Sequence, residues 1–149
     1  SVHMIGYSQF TNLLKQFADN HKVGIRFISE FREQLPNLST AEIEFPILFV
    51  EPVGADTKEF ANTLDVNVYC LDRLRKDRKN TEDVLNDTLM ILNQDLTRWL
   101  EDEVKVLESE QPYPAQVYNN YLLDYTAGWS IRLSVDIERI GLCEIPLNN

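Results

Sequence analysis

Residues 124–138 read DYTAGWSIRLSVDIE. From Trp129 onward the odd positions are Trp129, Ile131, Leu133, Val135 and Ile137, and the even ones are Ser130, Arg132, Ser134, Asp136 and Glu138. Strand side chains point alternately to the two faces of a sheet, so this stretch predicts one long strand with an apolar face and a wet face. That is the signature of an antiparallel sheet covered on one side only. The apolar face needs a covering layer, which the rest of the chain has to supply.

The best candidate for that layer is residues 80–102, NTEDVLNDTLMILNQDLTRWLED. Asn80 or Thr81 is placed to cap a helix, and Glu82 and Asp83 suit the positive end of its dipole. Val84, Leu85, Leu89, Leu92, Leu96, Trp99 and Leu100 form a broad apolar stripe. A first helix is expected where Phe10, Leu13, Leu14 and Phe17 recur at helical spacing, with Ser8 as its cap and an end near Asn20 and His21.

Further strands follow the same logic. In residues 41–52, AEIEFPILFVEP, the side chains of Ile43, Phe45, Ile47 and Phe49 share a face, Pro46 argues for an edge or bulged position, and Pro52 and Gly54 read as a closing turn. After a polar connection, residues 60–72, FANTLDVNVYCLD, alternate through Leu64, Val66, Val68 and Cys70 as the hairpin partner of the first strand. Residues 23–29 and 104–107 are readable as short strands, while Pro36 with Asn37, and Pro112 with Pro114, interrupt the pattern. The order of elements predicts an α+β, two-layer domain: a mainly antiparallel sheet with an N-terminal helix and one long helix packed on one face. Residues 1–3 read as a tag remnant ahead of Met4, leaving 4–149 as a single domain.

The 149 residues suit one core, and 44% hydrophobic with 26% charged residues fits the globular class. No apolar run approaches the ~20 residues of a bilayer crossing, so a soluble protein with no membrane partner is expected. A net charge of -10 disfavours nonspecific attachment to nucleic acid or anionic lipid.

Motifs of chemistry are sparse. With five glycines and no phosphate-cradling pattern, nucleotide binding is not supported, and no cofactor is expected. Cys70 and Cys143 lack the spacing of a metal or redox pair, and His21 reads as a surface residue beyond a helix end, so no catalytic residue and no metal site is assigned. The carboxylate pairs Glu42 with Glu44 and Asp136 with Glu138 read as the solvent side of a half-buried sheet. Tyr113, Tyr118, Tyr121 and Tyr125 either close the core or form a protein-binding surface. Without basic residues between Lys105 and Arg132 they do not make an RNA platform.

Charge is unevenly spread. Residues 73–79, RLRKDRK, hold five of the fourteen basic side chains, Arg73, Arg75, Lys76, Arg78 and Lys79. Glu101, Asp102, Glu103, Glu108 and Glu110 crowd a later segment. Either these are two solvated loops, or a basic lobe on one copy meets an acidic patch on the next.

The order of these motifs resembles a family of small structural proteins of long-tailed bacteriophages, placed at the tail or neck. The features that carry the resemblance are a first helix running into NHK at 20–22, EFPILFV at 44–50, LDVNVYCLD at 64–72, NTEDVLNDTL at 80–89, AGWSIRLSV at 127–135 and CEIP at 143–146. They span most of the chain from Met4 onward. The resemblance implies a virion component without enzymatic activity, most similar to tail terminator or tail-completion proteins. Such proteins form a ring on the tail tube, stop its growth and offer a surface to the head connector.

On that resemblance the expected partners are further copies in a homo-oligomeric ring, with a hexamer as the size to look for, and other tail or neck proteins. DNA enters only as passing cargo, and the expected location is the virion, with the host cytoplasm during assembly. The candidate subunit contacts are Arg73, Arg75, Lys76, Arg78, Lys79, Glu101, Asp102, Glu103, Arg132, Asp136 and Glu138. The competing expectation is a non-enzymatic adaptor that binds another protein through its sheet edge or its tyrosine-rich segment. An enzyme would have to assemble its site from residues scattered in sequence.

Overall fold

The computed structural model describes residues 7–28, 44–57, 61–103, 106–108, 116–119 and 126–138. In chain order they form α1 (Tyr7–Asn20), β1 (Arg26–Ile28), β2 (Ile47–Thr57), β3 (Ala61–Arg73), α2 (Thr81–Met90), a π-helical segment (Ile91–Leu96), α3 (Thr97–Glu103), β4 (Val106–Glu108), β5 (Gln116–Asn119) and β6 (Thr126–Glu138). The strands make one mixed sheet in the order β1-β2-β3-β6-β4, with β5 also on β6. Among the described residues only β1 and β2 run parallel, and the other pairings are antiparallel. The fold is α+β, with the helices packed on one face of the sheet.

The long strand of the opening stretch lies inside the sheet. β6 pairs with β3 from Thr126 opposite Arg73 to Glu138 opposite Ala61, and its other edge carries β4 and β5. Gly128 permits this close pairing, because a Cβ there would collide with the carbonyl oxygen of Cys70.

The main core lies between sheet and helices. Phe10, Leu14, Phe17 and Ala18 of α1 and Ile91, Leu92, Leu96 and Leu100 of the long helix meet Leu48, Val50, Leu64, Val66, Val68, Cys70, Ile131, Leu133 and Val135 of the strands. Within the long helix Val84, Thr88, Leu92, Leu96 and Leu100 recur every fourth residue and all are buried. At ~3.6 residues per turn a spacing of four drifts by about 40° per step, so a pure α-helix would carry Leu100 away from the sheet. The π segment turns less per residue and takes back part of that drift.

The other face departs from the expected wet surface. Ile47, Phe49, Tyr69 and Leu71 are buried there with Ile28, and the rings of Phe49 and Tyr69 stack at 4.3 Å. The run ILFV is therefore buried on both sides, with Leu48 and Val50 toward the helices. Farther along, the face becomes a ladder of cross-strand polar pairs. Thr63 Oγ1 donates to Asp136 (3.2 Å), Ser134 Oγ to Asp65 (2.5 Å) and Arg132 Nε to Asn67 (3.2 Å). Ser130 and Asp136 are buried and Ser134 is partly so, which leaves Arg132 as the exposed member among the described side chains of that side of β6.

Three local expectations change. Pro52 and Gly54 bound a bulge within β2 rather than a turn, and the strand continues to Thr57. Ser8 lies inside α1, where its carbonyl accepts the Thr11 hydroxyl. Asn80 precedes α2 without capping it through its side chain, because that amide is engaged by the preceding loop.

Candidate functional site

The basic segment is a built loop. The Arg75 N–H donates to Asn80 Oδ1 (2.8 Å), and Asn80 Nδ2 donates to the Arg73 carbonyl (3.3 Å), so one amide spans the loop. Asp77 accepts the Lys79 N–H (3.0 Å) and a guanidinium N–H of Arg75 (3.1 Å). Arg78 sits at φ 58°, a left-handed conformation costly for a side chain with a Cβ. Its carbonyl is held by the Thr81 hydroxyl at 2.7 Å, and its N–H donates to the Arg75 carbonyl at 2.8 Å. Arg73 places its guanidinium carbon 4.8 Å from the centre of the Phe45 ring. Lys76, Arg78 and Lys79 are exposed and make no ion pair among the described residues.

The loop precedes residue 81, and the acidic residues Glu101 and Asp102 stand exposed at the far end of the same helix. Residues 81–103 at ~1.5 Å per residue set the two groups about 30 Å apart. The structure thus sets the basic loop and the pair Glu101 and Asp102 at opposite ends of one helix. Of the remaining candidates, Arg132 is exposed and bonded to Asn67. Asp136, read as a free contact, is a correction: only 5% exposed, it accepts the Thr63 hydroxyl and belongs to the sheet's own ladder. The side chains of Glu103 and Glu138 lie outside the described residues. So do Glu110, the 143–146 stretch, Tyr113, Tyr121, Tyr125 and the Tyr118 side chain.

Beside the acidic pole is a cleft of about 540 Å³ between the end of α1 and the π segment with α3. Phe17 and Trp99 make its aromatic wall, their ring centres 5.8 Å apart. Lys22, Arg98, Asp95 and Asp102 also line it. His21 is a second correction to the sequence reading. Its side chain is 10% exposed, its Nδ1 accepts the Val23 N–H (3.3 Å), and its Nε2 meets Asp95 Oδ2 at 2.7 Å. An accepting Nδ1 places the ring hydrogen on Nε2, which donates to the carboxylate.

Two other titratable groups are shifted by burial. Burial and the nearby Asp72 charge push the Cys70 thiol far above its usual range, making it a packing residue rather than a nucleophile. Burial also raises the Asp72 carboxyl, against the Arg73 N–H that it accepts. No group of metal-ligating side chains and no helix long and apolar enough to cross a membrane occurs among the described residues. Compared with known proteins, the chain matches no family and no curated protein.

Proposed function

We propose that the protein is a non-enzymatic structural subunit of a long-tailed bacteriophage virion, working at the tail or neck as a terminator or completion protein. Copies join head to tail into a ring that caps the tail tube and presents a surface to the head side. The order of the sequence motifs supports the phage assignment. The observation that carries the ring is the placement of the basic loop and the acidic helix end at opposite poles of one helix.

Charges about 30 Å apart do not neutralise each other within a molecule, since that distance is several times the ~8 Å screening length of physiological salt. They are placed to meet between molecules. A contact between two different surfaces is heterologous, and repeated by a rotation that closes it makes a ring. Each interface repeats the same modest contact, so closure adds stability without requiring a large patch. A net charge of -10 also suits a ring through which DNA passes without adhering.

Negative-stain electron microscopy of the purified protein tests the reading. Closed rings of uniform diameter are expected. A field without closed rings at the highest protein concentration tried contradicts it.

A further inference from the structure

Resting on that ring reading, we propose that the cleft between α1 and the π segment is the socket for residues 75–79 of a second copy of this chain, with a cation of the loop seated against the Trp99 ring. The socket offers an aromatic wall in Phe17 and Trp99, the half-exposed carboxylate of Asp95, and Asp102 at its lining with Glu101 beside it. Asp95 spends Oδ2 on His21, and Oδ1 has no hydrogen-bond partner among the described residues. Glu101 and Asp102 make no ion pair among them either. An arginine or lysine approaching such a wall gains both cation–π and carboxylate contacts in one place.

The loop is prepared for insertion. Asn80 and Asp77 hold its backbone before any partner arrives, which lowers the ordering cost of association. Lys76, Arg78 and Lys79 are left without ion pairs among the described residues. The first turn of α2 adds exposed Glu82 and Asp83 beside the loop, and the socket adds Lys22 and Arg98. Docking the poles therefore pairs charges of both signs, a pattern that favours one register over its slipped alternatives. The two long helices also meet positive end to negative end, the favourable order for their dipoles. The loop of the same molecule cannot reach the socket, because the helix itself holds them apart.

The test uses two full-length variants. In the first, Lys76→Glu, Arg78→Glu and Lys79→Glu reverse the loop. In the second, Glu101→Lys and Asp102→Lys reverse the socket. All five side chains are exposed, so the fold is retained, and circular dichroism verifies it. By sedimentation velocity, each variant alone needs roughly tenfold or more protein to assemble than wild type. An equal mixture restores assembly, because alternating copies place a reversed loop in a reversed socket and a native loop in a native one. Assembly of either variant alone at the wild-type concentration overturns the socket while leaving the ring standing. A mixture that stays dispersed where wild type assembles does the same. Wild type that is monomeric throughout overturns both.

Discussion

His21 Nε2 lies 2.7 Å from Asp95 Oδ2, a bond that joins the end of α1 to the π segment across 74 residues of sequence. It fixes one wall of the cleft against the other. Asp95 is 38% exposed in its side chain, so the bond is partly screened, yet the imidazole behind it is nearly enclosed. His21→Ala and Asp95→Ala, combined in a double-mutant cycle, are expected to couple by about 1 kcal/mol in urea unfolding. Strict additivity would show that the contact does not stabilise the fold.

Gly128 and Gly54 make an internal control. An added Cβ at Gly128 meets backbone of Cys70 and Leu71 in the central strand, where nothing can swing aside, whereas Gly54 has open space around it. Gly128→Ala is expected to cost about 3 kcal/mol or more, and Gly54→Ala to stay within ~0.5 kcal/mol of wild type, measured by chemical denaturation. Equal effects would contradict the register of β3 and β6.

Deleting Asn93 tests the role of the π segment. A π turn is an α-helix that holds one extra residue, so removing one lets the helix continue with α-helical bonds while the residues beyond the cut keep their facing. Leu96 and Leu100, both wholly buried, then stay against the sheet. A stability within about 1 kcal/mol of wild type is expected by chemical denaturation. A loss of several times that size would mean that the π segment does not serve to absorb an extra residue.

Asp72 predicts a pH dependence with a definite sign. Burial raises its carboxyl above the ordinary 3.8, so the folded state holds the proton more tightly than the unfolded one. The stabilisation that this gives is complete below 3.8 and is lost as pH rises through the folded value. Asp72→Asn keeps an oxygen to accept the Arg73 N–H but carries no charge. The variant should be more stable than wild type at pH 7, and the difference should vanish near pH 3, as read from urea midpoints. The opposite order at pH 7 would show that the charge is favoured where it stands.

Much of this was legible in the residues, because periodicity reports which face of an element is covered. The alternation from Trp129 to Val135, the stripe through Leu92, Leu96 and Leu100, and the α1 residues Phe10, Leu14 and Phe17 all occupy the core. The sequence pattern misled where a polar side chain is buried with a partner of its own. Asp136 and Ser134 look like solvent positions until Thr63 and Asp65 are brought opposite them by the register. Pro52 and Gly54 resembled a turn because a bulge calls on the same residue types. The pairing of His21 with Asp95 and of Phe17 with Trp99 left no local trace, since each depends on the packing of α1 against the long helix. The basic and acidic segments were visible as charge, but the placement of the basic loop and of Glu101 with Asp102 at opposite ends of one helix is a property of the fold.

The absolute mass in solution, by light scattering after size-exclusion chromatography over a range of protein and salt concentrations, tests the head-to-tail ring most directly. A discrete oligomer, with the mass of a hexamer among the expected sizes, is expected to dissociate as salt screens the contact between the poles. A monomer at every protein concentration in low salt would contradict it.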